Sequence, residues 1–275
     1  KLKVTYIEEA KGWVKNIALH NEDLYFIRQD PFIGKIVSKE NTSEISKKIR
    51  GDAGTTIKIG VVRGNEKKEF SVMRAKIENP SVELTKKDGV ATLSIYRFDN
   101  ETGALAKKYA EEIKNEGISK VILDLRGNGG GYVQAAKTVA SLWLEKNALI
   151  VSEKAGSKTV EEIRATGDNP LKGVKTVILL DGSSASASEI VAGALKEHRA
   201  AQIVGEKSYG KGSVQTTINM PNDALLKVTI AKWFTPSGKN ISNNGISPDI
   251  EVKIPQGESY LLNDIQKSKA LEILK

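Results

Sequence analysis

The chain has 275 residues, of which 42 are basic, 34 are acidic, two are histidines and none is a cysteine. This composition excludes a disulfide framework, a thiolate nucleophile, an iron–sulfur cluster and any Cys-ligated or multi-histidine metal site, and we expect no metal and no cofactor. The net charge of +8 raises the question of a nucleic-acid partner. Because no basic tract contains the interleaved aromatic residues on which bases stack, we expect no nucleic-acid partner.

Membrane insertion is not indicated by the hydropathy of the chain. No apolar run approaches the roughly 20 residues that span a bilayer, so we expect no transmembrane segment. No signal peptide is visible in this chain, which we interpret as a mature or trimmed sequence.

Four segments are predicted in chain order. Residues 1–33 are predicted to form a helical segment, because their apolar residues recur at three- and four-residue steps. Residues 34–78 are predicted to form a small α/β module. Residues 79–255 alternate strand and helix patterns, which favours an α/β core with a mostly parallel sheet covered by helices. Residues 256–275 are predicted to form a closing helix.

Individual elements of the module and the core can be placed within a few residues. The module is predicted to contain a helix at 42–49 and strands at 55–62 and 69–74. In the core we predict strands at 89–96, 120–125, 174–180 and 202–204, helices at 102–116, 133–144 and 188–198, and hairpins after Val214. Active sites in such sheets lie beyond the carboxyl ends of the strands, so the loops after Leu125 and Leu180 are the first places to look.

The loop after Leu180 is rich in small residues and reads Asp181-Gly-Ser-Ser-Ala-Ser-Ala-Ser-Glu-Ile190. A serine here precedes a helix, whose N-terminal N–H groups favour developing negative charge, as an acyl-transfer nucleophile requires. The same residues also have a purely structural interpretation, because Ser186 and Glu189 have the spacing of a capping box.

Glycine dominates the loop after Leu125, which reads Asp124-Leu-Arg-Gly-Asn-Gly-Gly-Gly-Tyr132. The spacing matches neither the dinucleotide-binding nor the Walker A pattern, so phosphate binding is not supported. Backbone N–H groups that form an oxyanion hole are the other use of such a loop.

A third loop places Lys211 between Gly210 and Gly212, with Gln215 four residues later. A lysine acts as a general base only when it is desolvated. The simpler interpretation is an exposed lysine in a turn.

Taken together and in order, the three loops resemble those of the carboxy-terminal processing peptidases, the tail-specific serine proteases of family S41. The resemblance covers about residue 36 to the end of the chain. It also includes Arg50-Gly-x-x-Gly-Thr55, Thr235-Pro-Ser-Gly238 and Gly245-Ile-x-Pro-Asp-Ile250.

This resemblance implies a role for each matching residue. Ser186 corresponds to the nucleophile, Lys211 to the general base, and Gln215 to the residue that orients the lysine. The backbone N–H groups of Ala187 and of Gly130 or Gly131 correspond to the oxyanion hole. Glu197 stands where many relatives carry an aspartate, and we assign it no catalytic role.

The resemblance also implies the fold and the setting of the protein. We expect a crotonase- and ClpP-like βαβ protease core, preceded by a partial PDZ-like module at 34–78. The first strands and the carboxylate-binding loop of that module are not found in the sequence. The expected partners are protein or peptide substrates with exposed C-terminal tails, and dimerisation or assembly into a larger homo-oligomer is open. We expect an exported location, in the periplasm, the cell envelope or outside the cell.

The function that the resemblance implies is a serine endopeptidase that cleaves near flexible, apolar C-terminal tails through an acyl-enzyme. One alternative is a catalytically silent peptide-binding scaffold of the same fold. A less favoured alternative is a crotonase-like acyl-CoA enzyme, which would leave Ser186, Lys211 and Gln215 without a role.

Overall fold

The computed structural model describes residues 7–8, 14–20, 23–28, 35–36, 49–63, 66–75, 80–219, 225–255 and 264–275. The chain divides into two compact units. The first comprises residues 1–79 and 261–263, and the second comprises residues 80–260 and 264–275.

Most of the described residues of the first unit lie in β-strands. A four-stranded sheet has the order β4-β1-β5-β6, and β2 pairs with β3 in a separate antiparallel ribbon. The strands are β1 (Ile7–Glu8), β2 (Val14–His20), β3 (Asp23–Arg28), β4 (Lys35–Ile36), β5 (Thr56–Arg63) and β6 (Glu66–Met73).

The helix predicted for residues 1–33 is wrong where the structure describes this segment. Residues 14–20 and 23–28 are antiparallel strands, with His20 opposite Asp23. Only two residues separate the strands, so pairing them closes a short loop, which favours a hairpin. The second strand contains Tyr25, Phe26 and Ile27, residue types that favour strands, and over so short a window this preference outweighs the apolar spacing.

The strands predicted at 55–62 and 69–74 are confirmed as β5 and β6, which pair antiparallel along their whole length. The helix predicted at 42–49 lies outside the described residues except for its last residue, which is helical.

The second unit has the predicted alternation of strands and helices. It contains β7 (Val82–Lys87), β8 (Val90–Ile95), α1 (Thr102–Asn115), β9 (Lys120–Asp124), α2 (Val133–Ser141), β10 (Leu149–Ala155), β11 (Lys158–Arg164), β12 (Lys175–Leu180), α3 (Ala187–Glu197), β13 (Gln202–Gly205), β14 (Ser213–Asn219), β15 (Leu225–Phe234), β16 (Ile250–Glu251) and α4 (Ile265–Leu274).

Two sheets organise this unit. The larger has six strands in the order β16-β13-β12-β9-β8-β7, and every neighbouring pair is parallel except β7 with β8. The smaller has the antiparallel order β11-β10-β15-β14. The sequence did not indicate β7, β10 or β11. In β11 six of seven residues are exposed, so no alternating apolar pattern marks it.

Both faces of the larger sheet are covered by apolar side chains. In β12, Ile178 and Leu180 belong to the main core, which includes residues of α1, α2 and α3. The alternate residues Val177 and Leu179 pack in a second cluster with Ala270 and Leu274 of α4. This alternation follows from the two-residue period of a strand, and it places the closing helix against the opposite face from α3. The part of that predicted helix at 256–263 lies outside the described residues.

A buried arginine attaches α4 to the end of β9. The Arg126 side chain is 2% exposed and donates to both carboxylate oxygens of Asp124 and of Asp264, at 2.6 to 2.9 Å. A further bond of 3.2 Å reaches Gln266. Burial by itself opposes the guanidinium charge, but the two carboxylates hold the pKa of Arg126 above its usual value. The glycine-rich loop at 125–132, which contains Arg126, is therefore attached to α4.

Arg126→Ala should destabilise the fold by about 3 kcal/mol, because it leaves two partly buried aspartates without their cation. Arg164→Ala is the matched control, since Arg164 pairs with Glu162 at 2.6 Å on the surface and should cost less than about 1 kcal/mol. Urea unfolding measures both changes. Equal effects for the two variants would contradict a special contribution from the buried cluster.

Candidate active site

Three loops meet at the carboxyl edge of the six-stranded sheet. The glycine loop (residues 125–132) follows β9, the serine loop (181–186) follows β12, and the lysine loop (206–212) follows β13. Since β9, β12 and β13 are parallel neighbours, their carboxyl ends lie side by side. The topology therefore brings together the three segments that the sequence singled out.

The backbone of Ser186 is strained. Ser186 immediately precedes α3, with a φ of 56° and a ψ of −114°. A non-glycine residue with such a positive φ is disfavoured by sterics, and strain of this kind often occurs at functional sites. The first nine residues of α3 are buried, which fixes the helix below the turn. The turn thus holds a half-buried serine at the N-terminus of a rigid helix.

The carboxylate of Glu189 joins the serine loop to the lysine loop. Glu189 is fully buried. Its Oε2 accepts hydrogen bonds from the backbone N–H of Ser186 at 2.8 Å and of Lys211 at 2.9 Å. Its Oε1 accepts from the N–H of Gly210 at 2.6 Å and from the Ser208 hydroxyl at 2.5 Å. The backbone nitrogens of Ser186 and Lys211 consequently lie within two hydrogen-bond lengths of each other.

The side chains of Lys211 and Gln215 are both exposed. No hydrogen bond joins the Lys211 ammonium to Ser186 within the described part of the chain. The Gln215 amide donates to the hydroxyl of Thr229 at 3.4 Å, on the neighbouring strand β15. The structure therefore places the lysine backbone beside the serine but leaves Gln215 in contact with Thr229 rather than with Lys211.

The glycine loop packs directly against Ser186. Gly130 has a φ of 100°, and a Cβ added there would lie 2.7 Å from Cβ of Ser186 and 2.9 Å from the nitrogen of Ala187. Gly131 has a φ of 142°, and its added Cβ would collide with the carbonyl of Phe98. Both positions require glycine, for the conformation and for the close approach.

Two N–H groups are available beside the serine. The N–H of Gly130 donates to the Asn128 side chain at 2.9 Å. The N–H groups of Gly131 and Ala187 have no hydrogen-bond partner among the described residues. Of the two glycines that the sequence offered as alternatives, Gly131 therefore has the uncommitted donor in this structure.

A second carboxylate joins the glycine loop to the serine loop. Asp181 accepts from the N–H of Gly127 at 3.0 and 3.1 Å, and from the N–H groups of Ser183 and Ser184 at 2.9 and 3.0 Å. The fully buried Asn128 reinforces this junction, because its carbonyl accepts from the N–H of Ala185 and the hydroxyl of Ser188.

Sequence reasoning missed what Asp181, Asn128 and Glu189 do here. The serine-loop motif gave Glu189 only a capping role, and nothing in the spacing linked it to Gly210 and Lys211. The position of Glu189 in the apolar face of a helix could have indicated this role, because a buried carboxylate needs several hydrogen-bond donors. Glu197 instead accepts from Thr235 and from Ser237 at 2.7 to 2.8 Å, so it fixes the turn at 235–238.

The described residues contain neither a metal-binding cluster nor a membrane-spanning helix. No group of three or more histidine, aspartate and glutamate side chains there could hold a metal ion. No helix in that part of the chain is long and apolar enough to cross a bilayer.

Comparisons with known proteins agree on one family. The model of peptidase family S41 matches residues 89–252. The chain is 37% identical over 237 residues to a probable CtpA-like serine protease of Staphylococcus haemolyticus, covering 86% of the chain and 48% of that protein. A protein of the same description from Staphylococcus aureus is 36% identical over 243 residues, with 87% and 48% covered. The chain thus spans about half the length of these relatives.

Among solved structures, the photosystem II D1 C-terminal processing protease aligns with 96% of this chain and 78% of its own, with a TM-score of 0.63 and 22% identity. At that identity the likeness concerns the fold, and it confirms the expected α/β class with mixed sheets. The family match covers more than half of the chain, and with the curated relatives it shows that this protein belongs to peptidase family S41.

Proposed function

We propose that this protein is a serine endopeptidase in which Ser186 is the nucleophile and Lys211 is the general base. The observation that carries the proposal is the single carboxylate oxygen of Glu189 that binds the backbone N–H groups of both residues. A nucleophile and its base must be held within hydrogen-bond reach during the reaction, and this bridge holds their backbones together.

The reaction then proceeds in two halves. In acylation, the Ser186 oxygen attacks the scissile carbonyl carbon while the neutral Lys211 amine accepts the hydroxyl proton. The C–N bond breaks, and the ammonium returns that proton to the leaving amine. In deacylation, water gives a proton to Lys211 and attacks the ester, and Ser186 regains its proton as the acid product leaves.

The negative charge of each tetrahedral intermediate would face the N–H groups of Ala187 and Gly131. Both donors stand beside Ser186 without competing partners in the described chain, and one of them is at the N-terminus of α3. Donors already in place for a developing oxyanion stabilise the transition state without reorganisation.

Lys211 must lose its water to act as a base. In this structure its side chain is exposed, and a substrate lying over the lysine loop would exclude that water. Gln215 can orient the Lys211 amine if its side chain leaves the Thr229 hydroxyl. The present hydrogen bond to Thr229 is readily replaced, because at 3.4 Å it is long.

The proposal extends to the substrate and the setting. We infer that the substrates are proteins with flexible, apolar C-terminal tails, that the core is crotonase- and ClpP-like, and that residues 34–78 are part of a PDZ-like module. The tail preference rests on the resemblance of the three loops to those of the tail-specific serine proteases. An exported location, in keeping with the absence of cysteine, completes the proposal, and a homodimer or a larger homo-oligomer is compatible with it.

Ser186→Ala and Lys211→Arg should each reduce cleavage of an unfolded protein by about 10⁴-fold or more, measured from product masses over time. The alanine lacks the nucleophilic oxygen, and a guanidinium stays protonated and cannot accept a proton. Lys207→Arg is the matched control, since Lys207 is an exposed lysine in the same loop and should leave the rate unchanged. Cleavage at the normal rate by Ser186→Ala or by Lys211→Arg would refute the dyad. No cleavage by the unaltered chain would favour the silent scaffold.

Gly130→Ala should lower kcat by about 10²- to 10³-fold, because its methyl group would occupy the space beside Ser186 and the Ala187 nitrogen. Gly129→Ala is the control, as an added Cβ at Gly129 has no atom within 4 Å. Steady-state kinetics on one peptide compares the two. An unchanged kcat for Gly130→Ala would contradict the placement of the oxyanion beside this glycine.

Glu189→Gln should lower kcat by at least about tenfold and destabilise the fold by about 2–4 kcal/mol. An amide has one acceptor oxygen for four donors, and its NH₂ group would face N–H groups. Glu206→Gln serves as the control, because Glu206 accepts one N–H, from Ile254, and a glutamine oxygen can preserve that bond. Full activity of Glu189→Gln at saturating substrate would remove the main support for the proposed site.

A further inference from the structure

Exposed aromatic side chains are concentrated at one edge of the second unit. Among the aromatic residues whose side chains the structure describes, the exposed ones are Tyr96, Tyr132 and Tyr209, at 46%, 56% and 69%. All three lie in segments that leave the carboxyl ends of strands in the six-stranded sheet. Tyr96 follows β8 directly, Tyr132 ends the glycine loop after β9, and Tyr209 lies in the lysine loop after β13.

The order of the strands sets the order of these tyrosines relative to Ser186. The sheet runs β13-β12-β9-β8, and Ser186 follows β12. Tyr209 therefore belongs to the loop on one side of the serine, and Tyr132 and Tyr96 to the loops on the other side.

Contacts between the loops preserve that order above the sheet. The N–H of Tyr209 donates to the carbonyl of Ser184 at 3.0 Å. On the other side, Gly130 packs against Ser186, and the N–H of Tyr132 donates to the carbonyl of Phe98 at 2.7 Å. Tyr209 and Tyr132 are thus held through their backbones in loops that border the nucleophile, whereas the N–H of Tyr96 donates to the carbonyl of Ser81 at 2.9 Å.

Exposed aromatic rings cost free energy in water unless a partner covers them, and tyrosine is typical of protein-binding surfaces. The rings here have no aromatic or aliphatic cover that would bury them in the described chain. Tyr96 differs from the other two, because its hydroxyl donates to Glu83 of β7 at 2.7 Å, at the edge of the sheet beyond β8. These rings offer apolar surface and leave the charge of the site unchanged.

We propose that Tyr132 and Tyr209 line an extended-peptide groove along the carboxyl edge of the sheet, with apolar subsites on both sides of the scissile bond. The inference rests on the proposed function, since it takes Ser186 as the point of cleavage. Tyr209 forms the subsite on one side, and Tyr132 forms the subsite on the other.

The dimensions suit a short extended segment. Strands lie about 4.8 Å apart, so the two intervals from β13 to β9 span about 10 Å, which about three extended residues cover at about 3.3 Å each. A peptide of that length would place an apolar residue against tyrosine on each side of the bond that Ser186 attacks.

The test uses peptides that carry leucine or aspartate, one position at a time, on the N-terminal or the C-terminal side of the scissile bond. The unaltered chain should prefer leucine on both sides, by about tenfold or more in kcat/KM. Tyr209→Ala should lose the preference on one side, and Tyr132→Ala on the opposite side. Tyr132→Phe and Tyr209→Phe should keep it, because the ring is retained.

Val160→Ala is the matched control, since Val160 is 56% exposed on β11, outside these loops, and should leave both preferences intact. Loss of preference on the same side for both tyrosine variants, or on neither side, would overturn the groove.

A binding experiment separates the groove from the chemistry. Fluorescence anisotropy of the leucine peptide on Ser186→Ala should show tighter binding than the aspartate peptide, and Tyr209→Ala in that background should remove the difference. Binding that depends on tyrosine without cleavage by the unaltered chain would uphold the groove and reject the peptidase. Cleavage by the unaltered chain that none of the tyrosine variants changes would uphold the peptidase and reject the groove.

Discussion

The candidate site depends on one buried carboxylate. Glu189 has no exposure to solvent, and four donors from the serine and lysine loops surround its two oxygens. A buried carboxylate is stable only when such donors are supplied, so the loops cannot separate without leaving it unsatisfied. The requirement of one side chain for hydrogen bonds thus keeps the proposed nucleophile and base in adjacent positions.

The same principle operates twice more around the site. Asp181 gathers N–H groups from the glycine and serine loops, and Arg126 gathers Asp124 and Asp264 at the start of the glycine loop. Each junction connects segments that are distant in sequence and adjacent at the sheet edge. The strained turn at Ser186 persists because these junctions and the buried helix α3 fix it from both sides.

How much the sequence could predict differed between the two units. In the second unit, long periodic segments such as 102–115 and 187–197 have one dominant period and were predicted within two residues at the N-terminus. In the first unit, the apolar residues of β2 and β3 do not alternate with polar ones as in a half-buried strand, so their spacing predicted a helix, and pairing between the two strands decided the outcome.

For the site, motifs identified the loops and the parallel sheet predicted that they share an edge. Partners of side chains within those loops could not be predicted, because they depend on loop conformation. The spacing of Ser186 and Glu189 suggested a cap, whereas the contacts of Glu189 with Gly210 and Lys211 follow only from the fold. The contact of Gln215 with Thr229 likewise reflects the register of β14 on β15, which includes a bulge between Val214 and Gln215.

The link between Arg126 and Asp264 also has a consequence in time. The two residues are separated by 138 positions, so a ribosome that adds about 5–20 residues per second makes the aspartate roughly 7 to 28 s after the arginine. Throughout that interval the nascent glycine loop lacks its anchor on α4. A growing chain therefore carries the serine and lysine motifs and the Asp181 junction before α4 is made, so the attachment of the glycine loop to α4 is the last of these junctions to form.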